Sequence, residues 1–137
     1  MTKERLRAYR SSALEHKQLR EQLEALEARI YTPKAQRLSA MPRGPAGDGH
    51  AMEDLAILHI KLQDLYREQL VGLEREQLEI ETALRILEPA QRMVIRYRYL
   101  DLLSWENVAE RMHYGWSQTH RIHAAALQRL EAEHGKD

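Results

Sequence analysis

Apolar residues recur at helical spacing along most of the chain, and three breaks divide the pattern. Over residues 3–30, Leu19, Leu23, Leu26 and Ile30 step by four, three and four, an a/d seam of the kind that packs two helices together. Carried backwards, the register meets His16, Ser12 and Tyr9, so the seam is expected to weaken toward the N-terminus. Pro33 ends this segment, because the residue before a proline is pushed out of the α region. The N-terminal helix is therefore placed at residues 1–32. Residues 33–50, "PKAQRLSAMPRGPAGDGH", hold three of the four prolines and predict a flexible Pro/Gly linker. Over residues 51–88 the apolar positions fall in two overlapping registers. Leu55, Leu58, Leu62 and Leu65 form the first; Tyr66, Leu70, Leu73, Gln77, Ile80, Leu84 and Leu87 form the second. They predict one long coiled-coil-like helix of about 57 Å if unbroken, at 1.5 Å per residue. Gly72 within it costs about 1 kcal/mol relative to alanine. Such a stripe needs cover, from the first helix folding back or from a second protomer, and the pattern leaves both open.

Pro89 restarts the chain, since proline at the first helical position costs no intrahelical hydrogen bond. Ala90, Met93, Val94 and Tyr97 are expected to form the buried face of that helix. Ser104 is placed to cap a second short helix carrying Trp105, Val108, Ala109 and Met112 on one face. After His113-Tyr114-Gly115 a third helix runs to about Leu130, with Thr119, Ile122, Ala126 and Leu130 inward. Ala109 is expected where the last two helices cross. Three helices within residues 89–137, the last two joined by a tight turn, have the pattern of a helix-turn-helix. The predicted fold is all-α, a long helical hairpin or coiled-coil arm followed by a C-terminal three-helix module.

Composition narrows the chemistry. The 137 residues hold 21 Lys+Arg and 21 Asp+Glu, so global charge selects neither nucleic acid nor membrane. The balance is uneven along the chain: residues 1–50 carry 10 basic against 6 acidic side chains, and residues 51–88 carry 4 against 9. These segments are expected to attract one another, within one chain or between two. The absence of cysteine removes disulfide and thiolate chemistry. No apolar run approaches a membrane span and "MTKERLRAYRSS" has no apolar leader core, so a soluble cytoplasmic protein is expected.

In a helix-turn-helix the front turn of the second helix enters the major groove of duplex DNA. The side chains offered there are Trp116, Ser117, Gln118, His120 and Arg121. Glutamine can pair with adenine, arginine with guanine or a phosphate, and serine and the free N–H groups of the helix start with phosphate oxygens. Arg92, Arg96 and Arg98 are candidate phosphate contacts. The competing reading is a solvent-facing helix used against another protein. His113, His120 and His123 lie close in sequence, but no cysteine exists and Glu110 is the nearest carboxylate, so no metal site is expected. His120 is expected to face DNA, and His123 a polar shelf beside the long helix. No Gly-rich phosphate loop, nucleophile elbow or HExxH occurs, and neither an enzyme nor a cofactor is expected.

"RYRYLDLLSWENVAERMHYGWSQTHRIHAAALQRL" resembles the C-terminal segment of a group of small phage and prophage proteins, the ArpU-type, sigma-70-like transcriptional regulators. The residues that carry the likeness to sigma region four are Arg98-Tyr99, Leu103-Ser104-Trp105, Val108-Ala109, Tyr114, Ser117, Arg121, His123 and Ala126-Leu127. Upstream, Met41-Pro42-Arg43-Gly44 followed by a long Glu/Leu-rich helix is similar to the same group. The resemblance implies a sequence-specific DNA-binding regulator in a bacterial host cell, with RNA polymerase as a further partner. A homodimer through the arm would present two recognition helices to half-sites about one helical turn apart. By length the chain is not expected to be a complete sigma factor. Two positions depart from the family pattern, His113 and Leu102, where the family carries glycine. A positive φ at either would cost a residue with a Cβ. Gly115 stands where the family often has a capping serine. Two other functions fit the same plan: a DNA-packaging protein like a terminase small subunit, which would assemble above a dimer, and a helical adaptor that never touches DNA.

Overall fold

The computed structural model describes residues 1–31 and 48–135. Among the described residues five α-helices follow one another: α1 (Lys3–Tyr31), α2 (Asp48–Ala83), α3 (Pro89–Ile95), α4 (Trp105–Met112) and α5 (Trp116–His134). A 3-10 turn, Leu84–Ile86, ends α2, and a π turn, Arg96–Leu100, extends α3. No strand occurs among the described residues. The expected linker lies outside them apart from residues 48–50, which already belong to α2. The chain divides into two units, Glu15–Val71 and Met1–Leu14 with Gly72–Asp137.

The first unit is an antiparallel helical hairpin made in cis, answering the question the sequence left open. Leu19, Leu23, Leu26 and Ile30 are buried along α1. Against them α2 presents Leu55, His59, Leu62 and Tyr66, spaced four, three and four, whereas Leu58 and Leu65 are 46 % and 43 % exposed. The expected second register holds apart from Gln77, with Tyr66, Leu70, Leu73, Ile80, Leu84 and Leu87 buried or half-buried. Leu55, His59 and Leu62 continue it toward the start of α2 in place of the expected first one. It passes through a histidine because α1 supplies polar partners: Glu27 Oε1 lies 3.0 Å from His59 Nε2. His16 is buried too, stacked on Tyr66 at 4.1 Å and hydrogen bonded through Nδ1 to Gln69 at 3.1 Å.

The second unit gathers both ends of the chain. Thr2 caps α1, its Oγ1 accepting the Arg5 N–H at 3.2 Å. The seam does not weaken there as expected: Leu6 and Tyr9 are buried, and Ala13 takes the place assigned to Ser12. They join Ile80, Leu84, Leu87, Ile95, Tyr99, Ala126, Leu127 and Leu130 in one apolar core. Each such side chain contributes about 1.5–3 kcal/mol when fully buried. The basic start of α1 meets the acidic end of α2 within the same chain, Arg5 pairing with Glu76 at 2.8 Å and also with Glu79. On α3 the buried residues are Val94, Ile95 and Tyr99, while Met93 is 39 % exposed, so the expected face is rotated by about one residue. The cause is a partner not foreseen for this helix. Ile95 and Tyr99 turn toward the core shared with α1 and the end of α2.

Candidate nucleic-acid interface

The site is assembled from α3, α4 and α5, with α3 and α4 both packed on α5. Glu88 opens α3, its N–H donating to Gln91 Oε1 at 3.2 Å, and Pro89 occupies the first helical position. The π turn then lets the Asp101 N–H reach Arg96 O at 2.8 Å, and the Leu103 N–H reaches back to Tyr97 O at 3.0 Å. Leu102 closes this wide turn with φ 63°. Ser104 caps α4 as expected, its Oγ accepting the Asn107 N–H at 3.3 Å.

The turn between α4 and α5 is a Schellman motif. Tyr114 N–H donates to Ala109 O and His113 N–H to Glu110 O, both at 3.2 Å, with His113 left-handed at φ 60° and ψ 33°. Leu102 and His113 are the two non-glycine residues with positive φ among the described residues, and they are the two positions that depart from the family's glycines. Gly115, extended at φ −70°, caps α5 without a side-chain bond, and its carbonyl accepts the Thr119 N–H at 3.0 Å. Thr119, His123, Ala126, Leu127 and Leu130 face inward, as does Val108 of α4.

That burial leaves Trp116, Ser117, Gln118 and Arg121 exposed together on the leading turns of α5. The N–H groups at the start of the helix, which have no intrahelical acceptor, lie beside them. An amide, a hydroxyl, a guanidinium and an indole on one convex helix end can reach base edges and phosphates in a groove. His120 sits differently. Its ring lies between Trp105 and Trp116, 4.4 Å from each, and its Nε2 is enclosed without a hydrogen-bond partner among the described residues. It buttresses Trp116 rather than standing free in front of the helix. His123 is not on a polar shelf but buried, hydrogen bonded through Nε2 to the Tyr99 hydroxyl at 2.8 Å and edge-on to Trp105. Burial, with Lys3, His120, Arg98 and Arg7 nearby, holds its pKa down to about 4. It is neutral at physiological pH.

The three arginines of α3 have partners inside the protein. Arg92 donates to Leu84 O at 3.3 Å and Leu87 O at 3.0 Å, fastening the junction behind α2. Arg96 forms a two-pronged ion pair with Glu81, one prong at 2.9 Å. Arg98 donates to Leu103 O at 3.0 Å and lies 4.8 Å over the Trp105 ring. Burial and the neighbouring Arg10 hold the Arg98 guanidinium below its ordinary pKa. The sequence reading missed Arg10 of α1. Its Nε donates to Arg98 O at 3.0 Å and its Nη2 to Leu102 O at 3.3 Å, so it ties down the loop that delivers Ser104 and Trp105. The signal for it was present in Lys3, Arg7 and Arg10, spaced four and three on one helix face.

Among the described residues no group of three or more His, Asp or Glu side chains is arranged to hold a metal ion. No helix among them is long and apolar enough to cross a membrane. No curated protein and no solved structure matches the chain. Residues 83–132 match the family Sigma-70, region 4, a stretch running from the end of α2 through most of α5. The C-terminal part of this protein is a sigma-70 region 4 domain, a helix-turn-helix of the DNA-binding kind.

Proposed function

We propose that this protein is a sequence-specific, non-catalytic DNA-binding regulator of transcription, of the phage and prophage group that its sequence resembles, working in the cytoplasm of a bacterial host. One observation carries the reading. Within a sigma-70 region 4 domain, Trp116, Ser117, Gln118 and Arg121 are exposed together at the start of the helix whose other side is locked into the core. Gln118 and Arg121 read bases, and Ser117 and the free N–H groups at the helix start hold phosphates. Trp116, propped by His120, packs on a sugar or a thymine methyl. RNA polymerase is a further partner by the same resemblance.

A homodimer through the arm is part of this reading. Ile57, Leu58 and Ile60 of α2 are 52 %, 46 % and 56 % exposed, on the side turned from the α1 seam. Binding-site selection from random duplex DNA, with the mass of the complex measured in solution, tests the whole reading. A dimer retaining one preferred sequence is expected, and Gln118→Ala with Arg121→Ala abolishes the preference. Assembly well above a dimer would indicate a packaging role. Failure to retain any duplex, with the fold intact, would indicate a protein adaptor.

A further inference from the structure

A cleft of about 360 Å³ lies beside the helix-turn-helix, within the unit that joins the start of α1 to the C-terminal domain. Lys3, Arg7 and Arg10 of α1 line one side, and Arg98, Trp105 and His120 are among the residues lining the rest. Among the described residues no carboxylate lines it. Two other cations of this unit are paired with carboxylates, Arg5 with Glu76 and Glu79 and Arg96 with Glu81. Lys3 and Arg7 differ, forming no ion pair or hydrogen bond among the described residues. Lys3 is half-buried and Arg7 exposed.

Four like charges around one cleft repel one another. Burial first, and then Arg10 and Arg7, disfavour the charge on Arg98; burial first, and then Lys3, His120, Arg98 and Arg7, disfavour protonation of His123. A fold that gathers cations without a counter-charge loses stability by doing so, and an anion bound there recovers it. The position says which anion. Trp105 and His120 line the cleft, and the His120 ring packs at a tilt against Trp116 at the front of α5, 4.4 Å between centroids. The cleft is thus one aromatic contact away from the helix end assigned above to the groove. In duplex DNA the nearest anions to a groove are the phosphates along its edge.

We propose that this cleft is a phosphate site, and that Lys3 and Arg7 hold the backbone of the duplex beside the groove entered by α5. The inference rests on the DNA-binding reading and adds to it a contact from α1, outside the region 4 stretch. Arg10, bonded through Nε and Nη2 to the carbonyls of Arg98, Leu102 and Leu103, keeps the cleft's shape while Lys3 and Arg7 supply the contacts.

The test uses the full chain with Lys3→Ala, Arg7→Ala and the double variant, none of which removes a bond recorded in the fold. Affinity for the selected duplex is measured across salt concentrations, with circular dichroism melts confirming the fold. Each lost phosphate contact lowers the slope of log K against log salt by about 0.9. The double variant is therefore expected to lose nearly two units of slope and to bind all sequences more weakly by the same factor, with its sequence preference unchanged. An unchanged slope in a folded double variant that still binds DNA overturns the proposal and leaves the DNA-binding reading standing. Should the wild-type chain bind no duplex, that reading fails by itself, and inorganic phosphate decides the cleft. Quenching or enhancement of indole fluorescence that disappears in the double variant supports the anion site, and no response to phosphate overturns it.

Discussion

Replacing His113 by glycine is expected to stabilise the protein by about 0.5–1 kcal/mol. His113 occupies the left-handed position of the Schellman turn, φ 60° and ψ 33°, where a Cβ crowds the following carbonyl. For an L-residue that conformation costs roughly 1–2 kcal/mol, with histidine among the residues that visit it more readily. Glycine removes the cost but raises the entropy of the unfolded chain, which takes back about 0.5–1 kcal/mol. The side chain is exposed and makes no recorded hydrogen bond, so little packing is lost. For 137 residues unfolding together, an unfolding entropy near 2.1 cal/mol/K per residue converts 1 kcal/mol into about 3–4 °C of melting temperature. Urea and thermal melts of the wild type, His113→Gly and His113→Ala measure it. Alanine keeps the Cβ and is expected to give no gain. If glycine destabilises, or if alanine stabilises as much as glycine does, the strain argument is wrong. The loss would then be traced to the imidazole and not to the backbone. Leu102 shares the conformation, but its side chain is half-buried, so lost packing offsets the relief and makes it a poorer probe.

Gly115 calls for the opposite change. Its φ is −70° and a Cβ built there meets nothing within 4 Å, so Gly115→Ser should add a side-chain cap to α5 and gain about 1 kcal/mol in the same melts. His123 makes stability depend on pH. With a folded pKa of about 4 against an ordinary 6.5, the unfolded chain binds the proton first as pH falls, so its contribution to stability is intact above about pH 6.5 and is lost going down toward pH 4. The slope is about 1.4 kcal/mol per pH unit at most, and His123→Gln should remove that component of the pH profile while a wild-type profile of equal shape would exclude it.

The region 4 module was legible because each of its joints is local. Pro89 at a helix start, Ser104 three residues before Asn107 and the break at His113-Tyr114-Gly115 announce themselves in a few residues, and the left-handed turn positions stood out against the family's glycines. The side of α3 that is buried was not local. It depends on Leu6 and Tyr9, some ninety positions away, and no spacing within "PAQRMVIRYRYL" indicates them. The same holds for the arginines. Arg92, Arg96 and Arg98 read as surface cations and candidate phosphate contacts, yet carbonyls at the end of α2 and in the Leu102–Leu103 loop, and a carboxylate at Glu81, also engage them. His16 shows the reverse: a polar residue in the α1 seam reads as a weakness, but it has a polar partner on the facing helix and remains buried, as does His59.

The region 4 stretch is therefore not a self-contained core. Residues 83–132 include Leu84, Leu87, Ile95, Tyr99, Ala126, Leu127 and Leu130, but Met1, Leu6, Tyr9 and Ile80 complete the same cluster from outside that stretch. Leu6 and Ile80 are wholly enclosed, and with Tyr9 they represent about 5–9 kcal/mol of apolar burial at 1.5–3 kcal/mol each. That is of the order of the entire net stability of a small domain. The start of α1 thus serves the helix-turn-helix in two ways. Leu6 and Tyr9 fill its core, and Arg10 holds the loop that aims α4. A helix so committed on one face is a rigid mount for the charges on its other face. The backbone that carries Lys3 and Arg7 is consequently fixed before any ligand arrives, and ordering their side chains alone costs less entropy than ordering a free basic tail.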